Sequence, residues 1–238
     1  MLVAAAVCPS PPLLVPDVAA GAAPELDAAR TACADALGVL AASRPDVLIV
    51  VGPAGADELP GPYAQGTPGS FAGFGVGIGV RLAASEGPAS GRALPVSLAV
   101  AAWILDRAGW ADAPVEGLGV DTSLSAERCA ESGRQLAARA GRVAMLVMGD
   151  GSACRTLKAP GYLDERAAPF DAEAARALGA ADIAALAALD VSLAEELKAA
   201  GRAPWQVLAG AAEGADLGGQ LLYEDAPYGV GYFVAAWS

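Results

Sequence analysis

Three continuous apolar runs constrain this chain more than anything else in it. Val47-Leu48-Ile49-Val50-Val51 is the clearest, and Leu2 to Val7 and Val143 to Val147 match it. Runs of this kind, without polar alternation, are the signature of strands buried on both faces, which parallel sheets require. Between them the apolar spacing becomes helical. Leu26, Cys33, Leu37 and Leu40 fall near one face of 24–42, and Leu98, Trp103, Ile104 and Leu105 repeat the pattern in 95–108. Residues 124–140 read as a helix capped by Asp121-Thr122-Ser123. Residues 171–199 read as two helical segments divided near Asp190, with Ser192, Glu195 and Glu196 as a capping signal. Pro204 sits near the first turn of a short helix ending at Ala212. Residues 115–120, 220–224 and 228–237 complete the strands. Residues 59–70 and 85–92 read as loops, and the Gly-alternating stretch 71–82 as a strand. Its Gly spacing precedes no helix, which argues against a dinucleotide fingerprint. The expected fold class is α/β, a mainly parallel central sheet flanked by helices, in one domain spanning 1–238.

Chemistry is constrained most by an absence: the chain has no histidine. That removes the commonest general base near neutral pH and the commonest metal ligand. A Ser-His-Asp triad, a zinc His site and a two-His-one-carboxylate iron site are excluded within this chain. The net charge of −12 disfavours nucleic acid, because an acidic surface repels phosphate backbones. Cys8, Cys33, Cys129 and Cys154 are widely spaced, which argues for reduced intracellular thiols rather than a disulfide framework or zinc knuckle. The N-terminal apolar run lacks a basic flank and is followed by Pro11-Pro12, so it reads as a first strand, not a signal peptide. No run is long enough to span a membrane. A cytoplasmic location and no membrane partner are the expectations.

Polar residues concentrate in 148–171, directly after the third apolar run. Ligands in open α/β sheets gather outside the carboxyl ends of strands, which makes this loop the first candidate. Ser152, Arg155, Tyr162, Asp164 and Arg166 are candidate ligand contacts, as are Ser10 and Trp205. The alternative is an ion-pair lattice of Asp164, Glu165 and Arg166 that fixes an irregular loop. Cys8, Asp150 and Lys158 are the candidate catalytic residues. Cys8 as a nucleophile would need activation by Arg155 or Lys158, there being no imidazole. Cys8 and Cys154 could pair on a soft metal, but free cysteines are more often core residues. The Ala-rich stretch 172–188 offers either a subunit interface or packing against the sheet.

Several segments together resemble the class III extradiol ring-cleavage dioxygenase superfamily. This is the fold of the protocatechuate 4,5-dioxygenase β subunit (LigB-like), shared by Memo-like proteins. The segments are Val7-Cys8-Pro9-Ser10-Pro11-Pro12-Leu13-Leu14, Pro45-Asp46 through Gly52-Pro53, and Gly149-Asp150-Gly151-Ser152-Ala153 with Pro160-Gly161-Tyr162 and Phe170-Asp171. Gly201-Arg202-Ala203-Pro204-Trp205 and Tyr228-Gly229-Val230-Gly231-Tyr232 follow in the family's order. The set looks most like small actinobacterial β-subunit-like members. The resemblance implies an Fe(II) site, yet Ser10 and Ala54 stand where the family carries His ligands. Ala200 stands by the place of the third ligand, and Ala153 replaces the acid/base His. Ser and Ala cannot hold an iron that must bind both catecholate and O₂.

The resemblance therefore implies the fold and weighs against ring cleavage. The expected function is that of an atypical, iron-free member: a pseudoenzyme that binds a small molecule or a partner, without a cofactor. Two alternatives stand beside it. One is an enzyme of changed chemistry on a small polar or aromatic substrate, using Cys8 or the loop 150–166. The other is a subunit whose active site a partner chain completes. Superfamily members commonly pair, which implies a homo-oligomer.

Overall fold

The computed structural model describes residues 1–83 and 92–238. The chain runs β1 (Leu2–Cys8), α1 (Pro16–Ala19), α2 (Asp27–Ala42), β2 (Val47–Ala54), β3 (Gly61–Tyr63), β4 (Pro68–Ser70), β5 (Gly79–Arg81) and α3 (Val96–Arg107). It continues through β6 (Val115–Asp121), α4 (Ala126–Ala137), β7 (Val143–Met148), α5 (Ala167–Gly179), α6 (Ile183–Ala187) and α7 (Val191–Glu196). It closes with α8 (Arg202–Ala211), β8 (Gly219–Asp225) and β9 (Tyr232–Trp237). Seven strands form the main sheet in the order β3-β6-β2-β7-β1-β9-β8.

The three apolar runs are its centre. β6, β2, β7 and β1 are mutually parallel, with Val51 opposite Val147 and Cys8 opposite Met148. The sheet as a whole is mixed rather than mainly parallel, because β3, β9 and β8 pair antiparallel at its margins. The reason is local. β8 and β9 are joined by only residues 226–231, and a connection that short produces an antiparallel pair, whereas parallel pairing needs a long crossover.

Strand alternation divides the core into two layers. Val47, Ile49, Val51, Val143, Met145 and Val147 pack against α5 and α8. Leu48, Val50, Ala144, Leu146 and Met148 face α2 and α3. Ala174, Ala175 and Ala177 of the Ala-rich stretch lie in the first layer, so these residues pack within the chain and not in a subunit interface. α8 is buried along its whole length. It lies so close to α4 that a Cβ on Gly210 would overlap the Ala130 backbone, and one on Gly133 would overlap the Val207 carbonyl.

Several expectations are corrected. The stretch 71–82 forms a short 3₁₀ turn at Ala72–Phe74 and only the three-residue β5, paired with β4 outside the main sheet. Its glycines give it too little side chain to anchor a longer strand. The segment 59–70 is not all loop, since it contains β3 and β4. β2 continues through Pro53, where pairing with β7 has already ended and a missing N–H is tolerated. Ser125, not Asp121, caps α4, because Asp121 instead binds the Ser123 N–H and hydroxyl. Asp190, not Ser192, caps α7. The region 171–199 holds three helices, α5 to α7, broken also near Ala181, where φ is 50°. The loop expected over 85–92 lies outside the described residues apart from Arg92.

The α4–α8 contact leads to a stability prediction. Gly210→Ala forces two helix backbones apart and should lower unfolding stability by about 3 kcal/mol, read by urea denaturation.

Candidate functional site

The carboxyl ends of β1 and β7 meet the start of α8. The Gly149 N–H donates to the Cys8 carbonyl at 3.0 Å, and the Gly201 N–H donates to the Asp150 carbonyl at 2.8 Å. Gly149 lies against Gly201, where a Cβ would overlap the Gly201 backbone. Trp205, fully buried, fills the space behind Gly201 and packs on Phe233 with ring centres 6.0 Å apart. Ala54 and Ser152 are buried as well. Cys8, Ala54, Ser152 and Trp205 are thus all buried, and Trp205, a candidate ligand contact on sequence, is a core residue.

The loop after β7 is held by Asp171 in α5. This fully buried carboxylate accepts from the Ser152 N–H at 2.7 Å, the Ser152 hydroxyl at 2.8 Å and Arg155 Nη1 at 3.0 Å. Burial pushes its carboxyl pKa up, and the Ser152 and Arg155 bonds pull it back. Ser152 and Arg155 thus have an architectural duty. Further out, Arg166 bridges Asp164 and Glu196, and its bonds hold the Asp164 carboxyl down at about 2. Lys158 and Tyr162 are exposed, Tyr162 with a φ of 64°.

Asp150 is different. It is half-buried, and its Oδ1 accepts from the Ser10 N–H at 2.7 Å. Desolvation raises its carboxyl to about 7, against the opposing pull of the Ser10 hydrogen bonds. Ser10 is itself buried. The carboxyl also sits near enough to Tyr232 for its charge to help burial raise that phenol. A carboxyl poised near neutrality can exchange a proton at working pH.

All four cysteines are free and buried, in keeping with the core reading and against the metal-pair and nucleophile alternatives. Cys8 and Cys154 belong to opposite layers of the core, separated by the sheet, so they cannot share a metal. The group hydrogen-bonded to the Cys8 thiol is Cys33, and that contact together with burial drives the thiol pKa well up, away from a nucleophilic thiolate. Burial also raises Cys154, whose Sγ lies 3.5 Å from the Leu197 carbonyl.

Beside this junction lies a cavity of about 250 Å³, lined by Thr122, Ser123, Ala194, Glu195, Lys198, Ala199, Ala200 and Arg202. Arg202 is only 2% exposed. Its guanidinium donates to the Leu124 carbonyl at 2.6 Å, to Gln206 Oε1 at 3.0 Å and to the Thr122 carbonyl. Arg202 is not among the candidates the sequence suggests, although it belongs to the Gly201–Trp205 segment. Lys198, one of only two lysines in the chain, was a second available signal.

These elements define a helix-flanked α/β protein with a mixed seven-stranded sheet and a polar junction at the strand ends. Among solved structures, an uncharacterised protein from Escherichia coli K12, JW3007, is similar in fold, with a TM-score of 0.51 and 16% identity over 99% of each chain. No family model and no curated protein matches this sequence.

Two outcomes test the junction. Asp171→Ala strands the Ser152 donors and Arg155 and should cost about 3 kcal/mol of stability, measured by denaturant titration at neutral pH. Asp150 stays protonated in the fold up to about pH 7 but ionises near pH 4 once unfolded, so its contribution falls as pH rises between those values. Asp150→Asn removes that loss. Its stability relative to the parent should rise by about 2 kcal/mol between pH 4.5 and 8, allowing for partial exposure.

Proposed function

We propose that this chain is an atypical, iron-free member of the class III extradiol dioxygenase-like superfamily, acting as a ligand-binding or interaction protein. The resemblance implies Fe(II), and the residues present do not fit it. The observation that carries the reading is the state of the donor positions. Ser10 is buried with its N–H bound to Asp150, Ala54 is buried in β2, and Ala200 brings only a methyl group to the cavity wall. Among the described residues, no group of three His, Cys, Asp or Glu side chains is placed to hold a metal. Ala153 supplies no proton donor where the family has its acid/base. No helix of the described residues is long and apolar enough to cross a membrane.

Asp150 favours a second reading, an enzyme of changed chemistry. A carboxyl near pKa 7 is suited to general acid/base work on a small polar substrate. Cys8 has no part in that reading, because its thiol is buried and raised.

Metal analysis separates these from the family's chemistry. Protein purified without chelator and reconstituted anaerobically with Fe(II) should retain far less than one iron per chain and should not consume O₂ with catechols. Stoichiometric iron together with ring cleavage would falsify the iron-free reading.

A further inference from the structure

The groove between α5 and the α6–α7 turn joins an apolar floor to an acidic rim. Phe170, Leu189 and Leu193 form the floor, and about 590 Å³ of open space lies over them. Phe170 and Leu189 are buried, Leu193 is half-buried, and Pro169 and Ala188 expose further apolar surface beside them. Glu165, Glu173 and Asp190 stand round that floor. The guanidiniums at the rim bring no surplus of positive charge. Arg166 is shared between Asp164 and Glu196, and Arg176 between Glu173 and Asp182. With Glu165 and Asp190, six carboxylates thus meet two guanidiniums. Glu165 is exposed and, among the described residues, has no ion pair. The chain reaches this rim through 157–163, which holds three of the six large apolar side chains exposed among the described residues: Leu157, Tyr162 and Leu163. Apolar exposure and negative charge therefore concentrate around the start of α5, and such a combination marks a surface that meets another molecule.

We infer that this groove docks a short basic segment of another protein, in which a large apolar side chain is flanked by Lys or Arg. The inference rests on the interaction part of the function proposed above and not on the absence of iron. The partner's apolar side chain covers Phe170, Leu189 and Leu193, taking their exposed carbon and its own out of water. The Lys or Arg beside it meets Glu165, which has no cation of its own, and the surplus negative charge of the two bridged arginines. Charge decides the occupant. A second copy related by a two-fold axis would set these carboxylates against themselves, in a chain whose net charge is already −12. Phosphate backbones and anionic membrane surfaces are repelled for the same reason. A basic segment is the partner class that gains from the floor and from the rim together, and the acidic surface steers it inward during encounter.

An array of short synthetic peptides, probed with the intact chain, tests the assignment. Its members carry Leu, Phe, Met or Trp flanked by Lys and Arg, and matched controls replace the basic residues by Glu or the apolar residue by Ala. The strongest basic member, measured by fluorescence anisotropy, should bind with a roughly micromolar Kd that weakens as salt is raised, and its controls should bind about tenfold more weakly. Glu165→Lys should weaken that peptide about tenfold, and Ala188→Arg, which sets a long cation in the groove, should do the same. Both positions are exposed, so an unchanged melting temperature confirms that each variant keeps the fold. Basic members that bind no better than their controls overturn the inference. So does peptide binding that either variant leaves unchanged. Self-association of the free chain that Ala188→Arg abolishes would give the groove to a second copy and overturns it as well. Iron content measured on the same sample reports separately on the iron-free reading, so each can fail without the other.

Discussion

A buried carboxylate with its acceptor capacity matched to three donors holds the functional end of this protein together. Asp171 reaches out of α5 and binds the Ser152 N–H, the Ser152 hydroxyl and Arg155. The loop after β7 is irregular, with Gly151, Ser152 and Cys154 buried at its start, and an irregular buried backbone must find partners for its polar groups. With Ser152 fixed, the loop runs alongside the approach to β9. The Gly151 N–H donates to the Gly231 carbonyl at 2.7 Å, the Gly231 N–H to the Ser152 carbonyl at 2.9 Å, and the Arg155 backbone N–H to the Gly229 carbonyl at 3.0 Å. The hairpin that closes the sheet and the loop that follows its central strand are thus one hydrogen-bonded unit.

That arrangement changes the meaning of the polar loop. A dense group of Asp, Ser, Arg and Tyr after a buried strand suggests a reactive surface. Most of these side chains hold the loop itself in place, through Asp171 on the inside and through Arg166 with Asp164 and Glu196 on the outside. Asp150 is the exception. Bound to Ser10 and stripped of much of its water, it keeps a proton near neutrality. The open space lies beside the start of α8, where Glu195, Lys198 and Arg202 line a cavity of about 250 Å³.

The legible parts of the sequence were those governed by periodicity. The runs at 47–51 and 143–147 became the centre of the sheet, and the 3.6-residue spacing in 24–42 and 95–108 became α2 and α3. Caps and short strands were harder. Asp121 and Ser192 both have cap-forming side chains, yet Ser125 and Asp190 won, because the geometry of the preceding strand or turn decides which oxygen faces the free N–H groups. The antiparallel margins were hidden for a similar reason: an apolar strand reads alike whichever way its neighbour runs.

What the sequence by itself determined is the α/β architecture with its parallel centre and the absence of any imidazole, because hydrophobic period and residue identity are local properties. It also drew attention to the segments around Ser10, Asp150 and Gly201. Only the tertiary structure decided what they make. Burial removed Cys8 and Trp205 from any reactive role, raised the Asp150 carboxyl, and set Arg202 on protein oxygens. Each of these depends on what lies across space, on desolvation and on the few ångströms between backbones, and none of it is written in the order of the residues.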